Sequence, residues 1–384
     1  MEIVLVILLI LLFNAFFIKS FAGTFRINSA NYLWVLFALH FVLTIAYLLY
    51  TLNARSDSFG YYNKTASVED WFSLFENGTK FVGFVAWPFI NGLNLSYLSV
   101  MIIFSYLGYI GIVLFYIIGI ENISSINNNS GFGLIGYLFL LPNLHFWTSS
   151  LGKGSLMIFG IGLFTFGLSR FNKRVVYIII GASIIYMVRS HILLAIILGI
   201  GIGVFLTNIG IKAFYKWLIS ISTVIAFVFL SGSVLKITDT DSLDITSSSI
   251  LIHRATELSH ANSGVDLQNY NLFFKLFTFW FRPLFFDGLG LLGFITSFEN
   301  AFCLFMFFYL MLRLFKNWLN WNGLFRSWFF IFLFGSLILS QVSGNLGIAM
   351  RQKTQFMPFL FLLYIKARSD KNEINSRKLM TKPR

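Results

Sequence analysis

The chain has 384 residues, of which 57% are hydrophobic, 19% aromatic and only 11% charged, with a mean hydropathy of +0.79. Soluble domains carry about a quarter charged residues, so this balance excludes one and places the chain in a bilayer. One cysteine, Cys303, excludes a disulfide framework and any cysteine-built metal centre, and the net charge of +13 has to be read by its division between two membrane faces.

Apolar runs broken at charges and at Asn, Gly and Ser clusters predict spans near 2–18, 32–51, 97–120, 131–147, 155–169, 175–188, 192–207, 217–235, 288–312, 327–342 and 355–366. Most are about long enough to cross ~30 Å of hydrocarbon as helices. The expected fold is all-α, a single polytopic membrane domain over 1–384 with about 11 transmembrane helices. Lys19 and Arg26 follow the first run and no basic residue precedes it, so it reads as an anchor with its N-terminus outside.

Residues 52–96 then form a first outer loop. Its stretch Phe81–Ser96 is apolar but interrupted by Pro88, Asn91 and Asn94, and is expected to be an interfacial or re-entrant helix rather than a span. A crossing there would invert every later loop. The second outer loop, 236–287, closes with the aromatic run Phe273–Phe286, where Lys275 and Arg282 lie seven apart and so share one face of an expected amphipathic helix. Residues 367–384 form a basic cytoplasmic tail. On this topology 17 basic residues lie inside against three acids, Glu121, Asp370 and Glu373, which satisfies the positive-inside rule.

Cations retained outside run against that rule. Lys153, Arg189, Arg351 and Lys353 also border unusually short spans, which implies sunken helix ends or a water-filled cavity. A helix begun near Gly344 would align Gly347, Arg351 and Gln355 at four-residue spacing. Lys153, Arg189 and Arg351, with Arg282, have the chemistry of a phosphate receptor, because Arg offers a planar fork and Lys a point charge; each could equally snorkel to lipid headgroups. Glu299 is a carboxylate at membrane depth, where an ion pair or a proton site is expected, the pair being favoured for want of a second intramembrane acid. Asp57 reads either as a general base or acceptor-binding carboxylate, or as a turn residue or N-cap beside Ser and Gly. His145 and His191 read as bundle histidines, while His253 and His260 are loop residues with or without a catalytic role. Gly152-Lys153-Gly154-Ser155 lacks the upstream glycine and the hydroxyl residue of a phosphate loop, and no metalloprotease, Gly-x-Ser-x-Gly or selectivity-filter motif is present.

Four features together resemble the O-antigen and exopolysaccharide polymerases of the Wzy type. They are Asp57 with Tyr61 and Tyr62 in the first outer loop; the run from Leu141 through Pro142 and His145 to Lys153; the long late outer loop; and Gly344-Asn345-Leu346-Gly347-Ile348-Ala349-Met350-Arg351-Gln352-Lys353 before a last span with Pro358. The resemblance implies a GT-C-like glycosyltransferase of the bacterial inner membrane, N-terminus outside and C-terminus cytoplasmic. It implies polymerisation of undecaprenyl-diphosphate-linked repeat units, with donor and acceptor glycans, the bilayer and a chain-length regulator as partners, and neither metal, cofactor nor nucleic acid. Lys153, Arg189, Arg282, Arg351 and Lys353 would hold the diphosphate, and Asp57 or His253 would handle the acceptor. The alternatives are an O-antigen ligase-like transferase, left open by His253-Arg254, and a flippase or transporter, for which no paired broken helices in repeated halves are found.

Overall fold

The computed structural model describes the chain except for residues 26–29, 54–55, 124–132, 208–211, 239–263, 266–269, 289 and 381–384. Regular structure among the described residues is helical, apart from one isolated bridge between Gly264 and Asn345. Six helices there are long and apolar enough to cross a membrane: Glu2–Phe21, Ala30–Leu52, Tyr97–Asn122, Val175–Phe205, Gly290–Asn320 and Gly323–Gln341. The protein is therefore a polytopic helical membrane protein. The other expected spans take different forms, and two of them share one helix, Val175–Phe205, whose backbone leaves helical geometry at Arg189 (φ −155°, ψ 84°). The described residues form two compact units, Met1–Arg189 and Ser190–Arg384.

In the first unit, α1 (Glu2–Phe25), α2 (Ala30–Asn53), α5 (Tyr97–Asn122), α8 (Lys153–Ser169) and the first half of α9 (Val175–Phe205) are the long elements. Between α2 and α5 lie α3 (Asp57–Ala66), a 3-10 turn at Trp71–Leu74, α4 (Thr79–Trp87) and a π turn at Pro88–Gly92. This connection ends where it begins. The Tyr97 hydroxyl donates to Ser58 Oγ at 3.0 Å, and the Ser96 amide donates to the Glu2 carboxylate at 2.8 Å. Trp87 Nε1 and Asn91 Nδ2 both donate to the Val68 carbonyl, at 2.8 and 2.7 Å, which folds residues 81–96 back over 65–74. The interruptions at Pro88, Asn91 and Asn94 thus shape a folded-back connection, in which the Leu93 and Leu95 amides donate to the Pro88 and Phe89 carbonyls, both at 2.9 Å.

The opposite end of this unit is closed by charge. Glu121, at the end of α5, accepts two bonds of 2.8 Å from Arg174 and lies 3.2 Å from Arg170, a bidentate geometry with fixed direction. Between these ends the expected span 131–147 is discontinuous, made of α6 (Leu134–Phe139) and α7 (Pro142–Phe146). Pro142 opens α7 and cannot continue α6. The broken segment nevertheless climbs beside α2: Tyr32 reaches the Gly136 carbonyl at 2.9 Å, His40 meets His145 at 2.9 Å, and Gly152 packs against Tyr61. Helices α5 and α8 approach most closely at Gly111, where an added Cβ would stand 2.6 Å from the Ile158 carbonyl oxygen; contact of this kind between small residues drives association where no hydrophobic effect is available.

The second unit contains the rest of α9, α10 (Ala213–Thr238), α11 (Leu272–Phe281), α12 (Gly290–Asn317), α13 (Gly323–Val342), α14 (Leu346–Lys353) and α15 (Met357–Met380). At one end Arg326, just before the expected span 327–342, is buried and donates to the carbonyls of Trp318, at 2.8 Å, and Leu206. Both carbonyls lie just past the C-terminus of a long helix, where a guanidinium is favoured. Asp370 of α15 joins the same end by accepting from Trp321 and Lys366 at 2.8 and 2.7 Å. The other end holds the candidate site.

Candidate functional site

Helix α11 begins at Asn271, whose side chain accepts from the Phe274 amide at 3.0 Å. It ends at Phe281, because Arg282 precedes a proline and takes an extended conformation (φ −99°, ψ 150°). The expected helical run to Phe286 is therefore cut short, and Lys275 and Arg282 do not share a helical face. Lys275 donates to Gln341 at 3.1 Å. Arg282 turns to Asp287, which accepts from its Nε at 3.0 Å and from its Nη2, while the Leu284 amide donates to the other carboxylate oxygen at 2.6 Å. The Asp287 hydrogen bonds hold the Arg282 guanidinium above its ordinary range, with burial opposing.

Helix α14 exists as the spacing predicts, but it starts at Leu346 and stops at Lys353. Asn345 caps it by accepting from the Gly347 and Ile348 amides at 2.8 and 3.3 Å. Gly347 and Arg351 lie four apart on this helix, whereas Gln355 falls in the turn beyond it. The late loop reaches this helix: the Val265 amide donates to the Gly344 carbonyl at 2.9 Å. Arg351 is half-buried. Lys353 is 1% exposed and donates to the Trp280 carbonyl at 3.2 Å and to Asn300 Oδ1. Burial pushes its ammonium down to about 8, with Cys303 and Glu299 nearby acting in the opposite direction. Asn300 Nδ2 in turn donates to the Pro283 carbonyl at 2.7 Å, so α12 and α14 together grip the backbone on both sides of Arg282. Glu299 is buried next to Asn300.

The first unit holds Asp57, Lys153 and Arg189. The N-cap of α3 is Ser56, which accepts from the Ser58 amide at 3.2 Å, and Asp57 is the exposed first residue of the helix. Lys153 opens α8, half-buried, and Arg189 sits at the break in α9, two residues after Met187, whose carbonyl accepts from the Gly78 amide at 2.7 Å. His253 lies outside the described residues, as do Arg254 and His260. Among the described residues no three His, Cys, Asp or Glu side chains come together as a metal-holding group.

Three participants escape the sequence reading: Asp287, Asn300 and His40. Asn300 carried a signal, since an amide inside an apolar run is expensive unless partnered. Pro283 carried another, because it dictates the end of α11 and hence where Arg282 points. The Asp287 partnership had no local signal.

In chemical terms this end of the second unit combines a half-buried guanidinium, Arg351, a guanidinium already engaged by a carboxylate, Arg282, and a sequestered ammonium that supports the backbone just before Arg282. Comparison with protein-family models, with curated proteins and with solved structures finds no match to this chain.

Proposed function

We propose that the chain is a membrane glycosyltransferase that polymerises undecaprenyl-diphosphate-linked oligosaccharide units on the outer face of a bacterial inner membrane. The full topology on this reading has eleven spans, the N-terminus outside and the tail inside, with the late loop and α14 on the outer side. The observation that carries the reading is the docking of Lys353 on the Trp280 carbonyl, two residues before Arg282, on a helix that also carries Arg351 and that the late loop meets at Gly344. Cations are retained there on the side that insertion disfavours, beside buried Glu299.

In the reaction the bond between the donor sugar and the lipid diphosphate breaks, and a new bond forms to an acceptor hydroxyl oxygen. The hydroxyl proton passes to a base, and undecaprenyl diphosphate leaves. Arg351 is assigned to the leaving diphosphate, whose growing charge a bidentate fork stabilises. Arg282 contributes once its own carboxylate partner is exchanged, and Lys353 acts through the backbone it holds. Within the first unit Lys153 and Arg189 are assigned to lipid-linked diphosphate and Asp57 to an acceptor hydroxyl, with His253 of the late loop as the other base.

Purified Arg351→Lys and Arg351→Ala, assayed for polymer formation from lipid-linked repeat units, test the reading. Alanine should lose ~10²-fold to 10³-fold in turnover, the cost of removing one oxyanion-type contact, and lysine should recover little of it because the fork is gone. Turnover close to wild type in both, with normal insertion, refutes the assignment. In cells, deletion should leave single repeat units on lipid; unligated long polymer would indicate a ligase, and accumulation on the inner face a flippase.

A further inference from the structure

The Arg282–Asp287 contact is more than an ion pair closing a short loop. The Asp287 carboxylate is held by three N–H groups of different origin: Arg282 Nε at 3.0 Å, Arg282 Nη2, and the Leu284 amide at 2.6 Å. A fork and a backbone amide converging on one group of oxygens is what a phosphate requires. The carboxylate side chain is 4% exposed, so this cradle is filled from within the chain.

The two halves of the contact are anchored differently. On the arginine side the Trp280 carbonyl is held by Lys353 at 3.2 Å and the Pro283 carbonyl by Asn300 at 2.7 Å, through side chains that are each 1% exposed. On the carboxylate side the chain runs from Phe285 and Phe286, both exposed, to Gly288 and Gly290. Both glycines have positive φ, 64° and 65°, and nothing within 4 Å of where a Cβ would stand. Phe285 is held against Phe294 and Phe298 and the Asp287 amide donates to the Leu284 carbonyl at 2.9 Å, so the movable part is Asp287 together with the positive-φ glycines that follow it in open space, which can swing at small steric cost. The fork is therefore fixed and its occupant is movable.

We infer that Asp287 is a latch: it occupies an anion site built on Arg282 and the Leu284 amide, and a diphosphate displaces it. This rests on the diphosphate reading of this end of the second unit and adds its regulation. Binding then exchanges one anion for another at a fixed guanidinium, so the partly buried fork is never left unpaired, and an unliganded protein does not expose a strong site to unrelated anions. Asn300 and Lys353 are positioning residues that keep the cradle in place while the latch moves.

The test measures inorganic diphosphate binding by calorimetry to the full chain in lipid nanodiscs. Asp287→Asn keeps the shape of the latch and removes its charge. It should bind diphosphate about tenfold tighter than wild type, equivalent to roughly 1.4 kcal/mol. Adding Arg282→Gln to that variant should abolish the gain. Unchanged or weaker binding by Asp287→Asn, or a gain that survives without Arg282, overturns the latch.

A second measurement uses the wild-type cradle, so a folding defect in the variant cannot decide the matter. A spin label at Phe286→Cys, with native Cys303 buried and unlabelled, should become more mobile on adding diphosphate. No change at saturating diphosphate overturns the latch independently. The polymer assay separates the two claims: tighter binding by Asp287→Asn without polymerase activity keeps the latch and removes the glycan reading.

Discussion

Replacing Lys353 with methionine tests whether the sequestered ammonium organises this end of the second unit. Methionine keeps the apolar stem of the side chain but leaves the Trp280 carbonyl and Asn300 Oδ1 without their donor, and deprives buried Glu299 of a nearby positive charge. Each lost bond to a charged donor is worth about 1.5 to 3 kcal/mol, while the ammonium's own desolvation offsets part of the sum. The net expectation is a loss of no more than about 3 kcal/mol at neutral pH. The pH dependence supplies a sharper sign. Lys353 lies on α14, outside the long apolar helices, and burial lowers it from 10.5 to about 8. Between those values the folded protein binds fewer protons than the unfolded chain, so stability rises with pH across that window, and below it the full cost of the buried charge is present. Equilibrium unfolding in mixed micelles at several pH values between 7 and 10.5, for wild type and Lys353→Met, reads both effects. A methionine variant as stable as wild type, with the same slope against pH, would falsify the account.

Three further outcomes are expected. Gly111→Val should cost about 2 to 3 kcal/mol by thermal unfolding, because its Cβ would meet backbone atoms of Ile158 and Phe159 at 2.6 to 2.7 Å; Gly23→Val, facing open space, should unfold like wild type apart from the small helix-propensity change. Arg174→Gln should lose about 3 kcal/mol, since it leaves Glu121 buried without its bidentate partner. Arg170→Gln, half exposed, should lose no more than ~0.5 kcal/mol, and equal losses would contradict the assignment. An impermeant maleimide should label Ser67→Cys and Asn172→Cys from opposite faces of the membrane, and labelling of both from one face would overturn the two-ended reading of the first unit.

Much of the architecture is legible along the chain because it depends on neighbours in sequence. Apolar runs mark the helices, Pro88, Asn91 and Asn94 mark the folded-back connection, and the flanks of Arg189 mark the break in α9; each is a local consequence of hydropathy, of missing amide donors or of charge. Asn345 and Ser56 likewise cap their helices through groups one to three residues away. Partnerships decided by the course of the chain and the packing of the helices were not legible. Sequence periodicity places Lys275 and Arg282 on a common face, but Pro283 ends the helix and Asp287 captures the arginine. Lys353 reads as an outer cation, yet Trp280 and Asn300, 73 and 53 residues away, take it into the interior. His40 and His145 meet across 105 residues. The physical reason is common to all three: a polar group removed from water must find a partner, the sequence shows that the demand exists, and only the packing of the helices decides which group meets it.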